Sequence, residues 1–277
     1  MQHRFEDIAL NILGITLVAV LIAGSLCGCP TRNPDAAQIH LRLAGSAYTR
    51  NQMAEAMREA LEAERLDPED GDVQNLLAAL YLQQDRFMDA RIHANRALDL
   101  DDRRPATERI SSALHNLIAS IDLTEKKYDD CLREAQIALD DPTYGSKHLP
   151  KYNKAMCLAG KGSQDAAVQL LREATMLNPK FCIAYEGLGQ VYMSRGNFAD
   201  AIEQFHLAVT ADAACKALQT SWFYLGSCYE RLTKTESALA SYRSCAEVDA
   251  RNALGQRCVA LVAKLQPAAP PPSGNPQ

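Results

Sequence analysis

The sequence predicts an all-helical protein built as a solenoid of helix–turn–helix repeats. A pattern of small and large apolar residues returns with a period near 34 residues through the middle of the chain. The apolar positions recur at helical spacing, and no long run of alternating β-branched residues indicates a sheet. Aromatic residues make up only 6% of the chain and alanine is abundant, a composition that suits closely packed helices.

Six copies of the repeat begin at residues 37, 71, 112, 148, 182 and 219. The copy over 182–215 shows the pattern best, with Tyr185, Leu188, Gly189, Tyr192, Gly196, Phe198, Ala201, Phe205 and Ala208. This spacing resembles the tetratricopeptide repeat (TPR) family, whose repeats each form two helices. The resemblance implies an all-α TPR superhelix of twelve repeat helices in a right-handed stack. One repeat cannot bury its own apolar face, but stacked neighbours can.

Residue size and proline placement agree with this arrangement. Small residues occupy repeat positions 8 and 20, where the two helices of a repeat must approach closely. Leu66 to Pro68 and Leu177 to Pro179 end second helices, because proline cannot continue helical hydrogen bonding. A seven-residue insertion falls around Asp101 to Thr107, and a three-residue insertion falls near Ala213 to Lys216.

The repeat domain is expected to span 37–265. Residues 252–265 resemble a seventh first helix without its partner, as expected of a capping helix that covers the last apolar face. The Pro-rich tail over 266–277 cannot form a core and is expected to be disordered or extended.

The first residues predict export and anchoring. Residues 8–26 carry no charge and suit a signal peptide over 1–28 or an N-terminal membrane span. Residues 26–29, Leu-Cys-Gly-Cys, resemble the lipobox of bacterial lipoproteins, which implies that Cys29 is lipidated and that 29–36 form a tether. Signal peptides normally begin with net positive charge, but the residues before this stretch include one arginine together with Glu6 and Asp7. An uncleaved membrane span is therefore the alternative. By resemblance to lipoprotein sorting signals, Pro30 implies the periplasmic face of the outer membrane.

No catalytic pattern is recognisable in the sequence. The six histidines show no metal-ligand spacing, and no Gly-rich phosphate loop follows a strand. The net charge of −5 does not indicate a basic surface for binding nucleic acid. We therefore expect no enzyme activity, cofactor, metal or small-molecule substrate.

Seven cysteines follow Cys29, and an exported compartment permits disulfides. The second helix of one repeat runs antiparallel to the first helix of the next. Cys131 should then lie level with Cys157, and Cys245 level with Cys258. The alternative is that these cysteines are small core residues, since Cys packs like Ala. The odd number leaves at least one free thiol.

A shorter motif resembles the TPR lipoproteins called pilotins, which assist type IV pilus secretins. Their Asp-Pro-x-Tyr turn matches 141–144, and their Asn-x-Gly-x-Cys helix matches Asn153 and Cys157, with Ala155 in place of Gly. The resemblance implies an adaptor that helps an outer-membrane secretin insert and assemble. It also implies a partner for Cys157 in the preceding first helix, where this chain has Leu123, so that Cys131 is the available substitute.

The concave face of a TPR stack is lined by first-helix positions 2, 5, 9, 12 and 13. These positions predict a protein-binding groove of Tyr48, Asn75, Leu82, Asn116, Leu123, Leu149, Tyr152, Met156, Ile183, Met193 and Phe223. Because many are apolar, the expected ligand is an amphipathic helix or an extended apolar segment. Alternatives are a general cell-envelope scaffold and a cytoplasm-facing clamp for peptide termini. The clamp needs a basic set, which does not accompany Asn75 and Asn116.

Overall fold

The computed structural model describes residues 32–105 and 109–266. Within these ranges the protein forms thirteen α-helices and one 3-10 helix, with no strand. The chain divides into two compact units at Arg104 and Pro105. The all-helical prediction is therefore confirmed, and the twelve repeat helices with a cap account for the thirteen α-helices of the described ranges.

The first unit contains two helix pairs. Consecutive helices pack on one another, so that each pair buries its apolar stripe against the next. The helices are α1 (Pro34–Thr49), α2 (Met53–Leu66), α3 (Gly71–Gln83) and α4 (Phe87–Asp101).

The second unit contains four helix pairs and a last single helix. They are α5 (Ser111–Thr124), α6 (Tyr128–Asp140), α7 (His148–Gly160), α8 (Gln164–Leu177), α9 (Cys182–Ser194), α10 (Phe198–Thr210), α11 (Gln219–Arg231), α12 (Thr235–Val248) and α13 (Ala253–Leu265). The three-residue insertion forms the 3-10 helix Ala213–Ala217 between α10 and α11. The cap α13 packs on α12.

Small residues at repeat position 8 lie where the helices of a pair cross. A Cβ atom on Gly189 would lie 2.7 Å from the ring of Phe205, which is fully buried on α10. A Cβ on Gly226 would lie 2.6 Å from the ring of Tyr242 on α12. Since real Cβ atoms do not approach rings so closely, glycine is required at both crossings.

The turn inside every repeat has the same backbone conformation. Repeat position 15 has a positive φ in all six copies, at Asn51, Asp85, Lys126, Gly162, Gly196 and Thr233. The next N–H group then bonds the carbonyl five residues back, as from Gln52 to Ala47 (2.9 Å). This is the Schellman ending, in which a left-handed residue satisfies the last helical carbonyls.

The predicted tether over 29–36 is too long at its C-terminal end. Helix α1 already begins at Pro34, and Asn33 caps it by accepting a hydrogen bond from the Ala36 N–H (3.1 Å). Proline suits this first turn because its missing donor is not needed there. The predicted signal segment, Cys29 and the tail from 267 lie outside the described residues. No helix within the described ranges is long and apolar enough to cross a membrane.

Two disulfides join the pairs predicted from repeat geometry. Cys131 on α6 is bonded to Cys157 on α7, with Cα atoms 6.5 Å apart. Cys245 on α12 is bonded to Cys258 on the cap, with Cα atoms 6.1 Å apart. Each bond covalently links the second helix of one repeat to the helix that follows it.

A third disulfide, between Cys182 and Cys215, was not predicted from the sequence. Cys215 lies in the 3-10 helix of the insertion, which brings its Cα within 5.7 Å of the Cα of Cys182 at the start of α9. Cys228 remains a free thiol among the described residues. Its burial raises its pKa to about 11, so it is protonated at neutral pH.

Candidate protein-binding groove

The eleven predicted groove residues divide between the two units. Tyr48, Asn75 and Leu82 lie on the first helices of the first unit, and the other eight lie on α5, α7, α9 and α11. Ten of the eleven are half-buried, and Ile183 is 37% exposed. Several also pack against the core of the second unit, including Tyr152, Met156 and Met193. Neighbouring helices therefore cover part of the Met156 and Met193 side chains.

The second unit contains a concave pocket of about 330 Å³ at the C-terminal ends of its first helices. It brings the predicted residues Leu123 and Met156 together, from α5 and α7. The buried side chain of Val191 lies on its floor, and Gly160 and Ser194 are exposed at its rim. We call this cavity the groove pocket; it is lined by Leu123, Tyr128, Met156, Ala159, Gly160, Gln164, Gln190, Val191 and Ser194.

Two glycines shape this surface. A Cβ atom on Gly160 would lie 2.4 Å from the ring of Tyr128, so glycine lets the ring lie against the end of α7. A Cβ on Gly187 would lie 3.0 Å from Met156 Sδ and 3.4 Å from Tyr152 Cε2. The side chains of α7 therefore lie directly on the backbone of α9.

A buried polar contact holds α5 against α7. Asn153 is 4% exposed, and its Nδ2 donates to Asn116 Oδ1 (2.9 Å) and Ser120 Oγ (2.9 Å). The side-chain oxygen of Asn116, a predicted groove residue, is thus engaged within the protein. Because buried amides are costly to leave unpaired, this contact fixes the spacing of the two first helices.

The rim of the groove pocket is polar and internally bonded. Gln164 donates to Ser194 Oγ (3.0 Å) and accepts from Arg195 Nε (3.0 Å). Gln190 donates to Glu186 (3.1 Å), which also accepts from Thr220 Oγ1 (2.8 Å). An apolar floor inside a polar rim is the pattern of a site for an apolar side chain of a protein partner.

The aromatic residues of the predicted groove have different surroundings. Tyr152 packs edge-on against Phe181, and burial, with a smaller effect of the Glu186 charge, raises its pKa to about 12. The Tyr152 hydroxyl is therefore neutral at physiological pH. Phe223 lies under Arg257 of the cap, with 4.7 Å between the guanidinium carbon and the ring centre. Phe223 does not line the groove pocket.

The turn that resembles the pilotin motif is tightly bonded. Asp141 accepts hydrogen bonds from Ser112 Oγ, from Thr143 Oγ1 (2.7 Å) and from the Thr143 N–H (2.8 Å). These bonds, that from Ser112 first, lower the pKa of Asp141 to about 2. The turn therefore ties the start of α5 to the loop before α7.

The rule of first-helix positions identifies some residues of the groove pocket and misses others. Gln190 and Ser194 occupy first-helix positions 9 and 13, so the rule that found Met156 also identifies them. Gly160, the last residue of α7, also occupies position 13, whereas Tyr128 and Gln164 begin the second helices α6 and α8, which the rule does not cover. Within the described ranges, no group of three or more His, Cys, Asp or Glu residues is placed to hold a metal ion.

A family model described as Tetratricopeptide repeat matches residues 31–71, 55–105, 152–217 and 186–253, which together cover more than half of the chain. The chain is 25% identical over 106 residues to Protein bimA of Emericella nidulans. That alignment covers 36% of this chain and 13% of bimA, so the similarity spans a small part of the longer protein.

Two solved structures share the fold over most of the chain. The crystal structure of PilW, described as a widely conserved type IV pilus biogenesis factor, superposes with a TM-score of 0.62 and 18% identity. It covers 80% of this chain and 98% of PilW. PilF of Pseudomonas aeruginosa superposes with a TM-score of 0.56 and 14% identity, covering 82% of this chain and 97% of PilF.

Proposed function

Because the chain belongs to the tetratricopeptide repeat family, whose repeats are generally non-catalytic scaffolds for protein interaction, we propose that its partner binds in the groove of the second unit. The groove pocket is the observation that carries this proposal. Its apolar floor suits one or two apolar side chains, and its bonded polar rim sets their register. The ligand is an amphipathic helix or an extended apolar segment.

The proposed partner is an outer-membrane secretin of a type IV pilus. The pilotin-like turn at Asp141 and the helix with Asn153 and Cys157 support this, as does the fold shared with PilW and PilF. In this role the groove covers an apolar segment of the secretin until it meets the bilayer. A general envelope scaffold would use the same pocket for another partner.

The proposed location is the periplasmic face of the outer membrane, with lipid on Cys29. The disulfides of the second unit support an exported protein, because disulfides persist in oxidising compartments. Lipid on Cys29 adds membrane affinity of about 0.8 kcal/mol per buried methylene. The anchor would deliver the bound secretin segment to its membrane.

Filling the groove pocket should prevent partner binding. Ser194 is exposed on α9 and lines the pocket, so a phenyl ring introduced by Ser194→Phe occupies the cavity without disturbing the core. We expect affinity capture of the secretin from membranes to fall at least tenfold, with an unchanged melting temperature. Mass spectrometry of the captured proteins measures this loss.

A matched control is Ala199→Phe, which places the same ring on the exposed side of α10, outside the pocket. It should capture the secretin as the wild type does. Undiminished capture by folded Ser194→Phe would contradict the groove as the binding site. Pocket-dependent capture of a different envelope protein would instead identify a general scaffold.

The anchor has a separate test. Cys29→Ser should abolish lipid labelling and release the protein from the outer membrane, because no acyl chain can then be attached. Membrane fractionation with metabolic lipid labelling measures both effects. A Cys29→Ser protein that stays membrane-bound at full length would show that residues 8–26 are a membrane span.

A further inference from the structure

Helix α1 leaves exposed a face that later repeats bury. At repeat positions 3 and 7, α3 has Val73 and Leu77, both fully buried, and α9 has Ala184 and Leu188, at most 2% exposed. The corresponding residues of α1 are Ile39, 51% exposed, and Leu43, 49% exposed. Helices α3 and α9 each contact the second helix of the preceding repeat. The first repeat presents the same apolar face with no such helix in the described part of the chain.

The exposed face of α1 is basic as well as apolar. Arg42 and Arg50 are exposed there, at helical spacing from Ile39 and Leu43. Neither forms an ion pair with a carboxylate of the described residues; Arg50 bonds only neutral groups, at Ser46 and Gln52. Asp35, at the N-terminal end, is the one acidic residue of α1.

The ion pairs on α2 differ from this pattern. Its arginines Arg58 and Arg65 bond Glu59 and Glu62 at 2.9 Å and 2.6 Å. The positive charge on α1 is therefore not neutralised within the helix pair, in a chain whose net charge is −5. We call the surface of Ile39, Arg42, Leu43, Ser46 and Arg50 the open face.

The N-terminal end of α1 is fixed close to the proposed anchor. Arg32 forms an ion pair with Asp67 (2.6 Å), and the Asn33 N–H donates to Leu66 O (2.9 Å). If lipid is attached at Cys29, three peptide steps separate it from Arg32. An extended chain covers at most about 11 Å in three residues. The first repeat must then lie against the bilayer surface.

We propose that the open face of α1 docks on the surface of a phospholipid bilayer that contains anionic lipid. Ile39 and Leu43 enter the boundary between headgroups and acyl chains, and Arg42 and Arg50 lie among the phosphates. Apolar residues flanked by basic ones on one helix face are the composition of helices that lie in a membrane interface. This inference rests on the proposed lipid anchor, and it adds a second contact that orients the first unit.

A bilayer explains the open face better than a protein helix. A helix in the place of a preceding repeat would have to supply carboxylates for Arg42 and Arg50 within an apolar contact. Anionic lipid supplies phosphates without that requirement, and the short tether brings it there. A partner helix or a second copy of the chain on this face is an outcome that the following experiment detects.

Tryptophan quenching by brominated lipid tests the docking. The full lipidated protein is reconstituted into vesicles of phosphatidylethanolamine and phosphatidylglycerol brominated near the headgroup. The variants are Leu43→Trp and the control Met88→Trp, whose position on α4 is 70% exposed and outside the open face. The native protein has one tryptophan, so its signal can be subtracted. Both substitutions are at exposed positions, and circular dichroism verifies the fold.

We expect at least twofold stronger quenching at position 43 than at position 88, and loss of the difference when phosphatidylglycerol is replaced by phosphatidylcholine. Equal quenching at both positions in an anchored, folded protein would overturn the docking and leave the anchor intact. A second copy of the chain that covers position 43, which cross-linking would detect, would also overturn the docking and leave the anchor intact. Absence of lipid on Cys29, by mass spectrometry of the N-terminal peptide, would overturn both the anchor and the docking.

Discussion

Gly189→Val should lower the free energy of unfolding of the second unit by about 3 kcal/mol, the upper range for overpacking a core. The added Cβ would lie 2.7 Å from the ring of Phe205, which is fully buried and has no free space to move into. The helices of the fifth repeat must then separate or the ring must leave its position. Urea denaturation, followed by far-ultraviolet circular dichroism, measures the loss.

The matched control is Gly45→Val, the same substitution inside α1. A Cβ atom there has nothing within 4 Å. Valine has a better helix propensity than glycine, so this variant should be neutral or stabilised by about 0.5 kcal/mol. Equal losses in the two variants would show that the close crossing at Gly189 is not the cause.

Reduction of the disulfides should destabilise the second unit and spare the first. A disulfide that closes a loop of about 15 residues stabilises by about 3 kcal/mol. The three bonds here join residues 13 to 33 apart, all in the second unit. Residues 32–104 contain no cysteine. Hydrogen exchange with and without dithiothreitol should therefore show lost protection only in peptides from 111–265.

The cap should lose protection first. Helix α13 packs chiefly on α12 and is stapled to it by Cys245 and Cys258. A variant with both cysteines replaced by serine should show this loss at the cap without reductant. Dithiothreitol should produce no further change there. Equal loss of protection in both units on reduction would contradict a role confined to the second unit.

The repeat architecture was predictable because each copy encodes it locally. The crossing glycines, the proline-ended helices and the buried positions return every 34 residues or so, and six copies compensate for weak matches in any one. The insertion at Ala213 was found as extra length, but its 3-10 helix was not. This helix is bonded to α9 through Cys215 and Cys182, a tertiary contact that the period does not contain.

The position of the groove was predictable from the sequence, but the burial of its side chains and the edge of the groove pocket were not. Helical spacing places Leu123 and Met156 on one face. The exposed fraction of each side chain depends on the neighbouring helix. Because Gly187 has no side chain, Met156 and Tyr152 pack directly on the backbone of α9. The edge of the groove pocket depends on Tyr128 reaching over Gly160 from another helix. A rule that counts first-helix positions cannot represent either contact.

The left-handed turn residues bear on how this protein can change over evolutionary time. Four of the six turns place a side chain where glycine would be relaxed, including the β-branched Thr233. A left-handed residue costs roughly 1–2 kcal/mol. The packing of each helix pair offsets that conformational cost. The residues of the turns can therefore be substituted while the geometry of the helix pairs is retained. Replacement by glycine at any of the four non-glycine turns would free stability that offsets costly changes in the groove, and would so allow the adaptor to acquire a new partner.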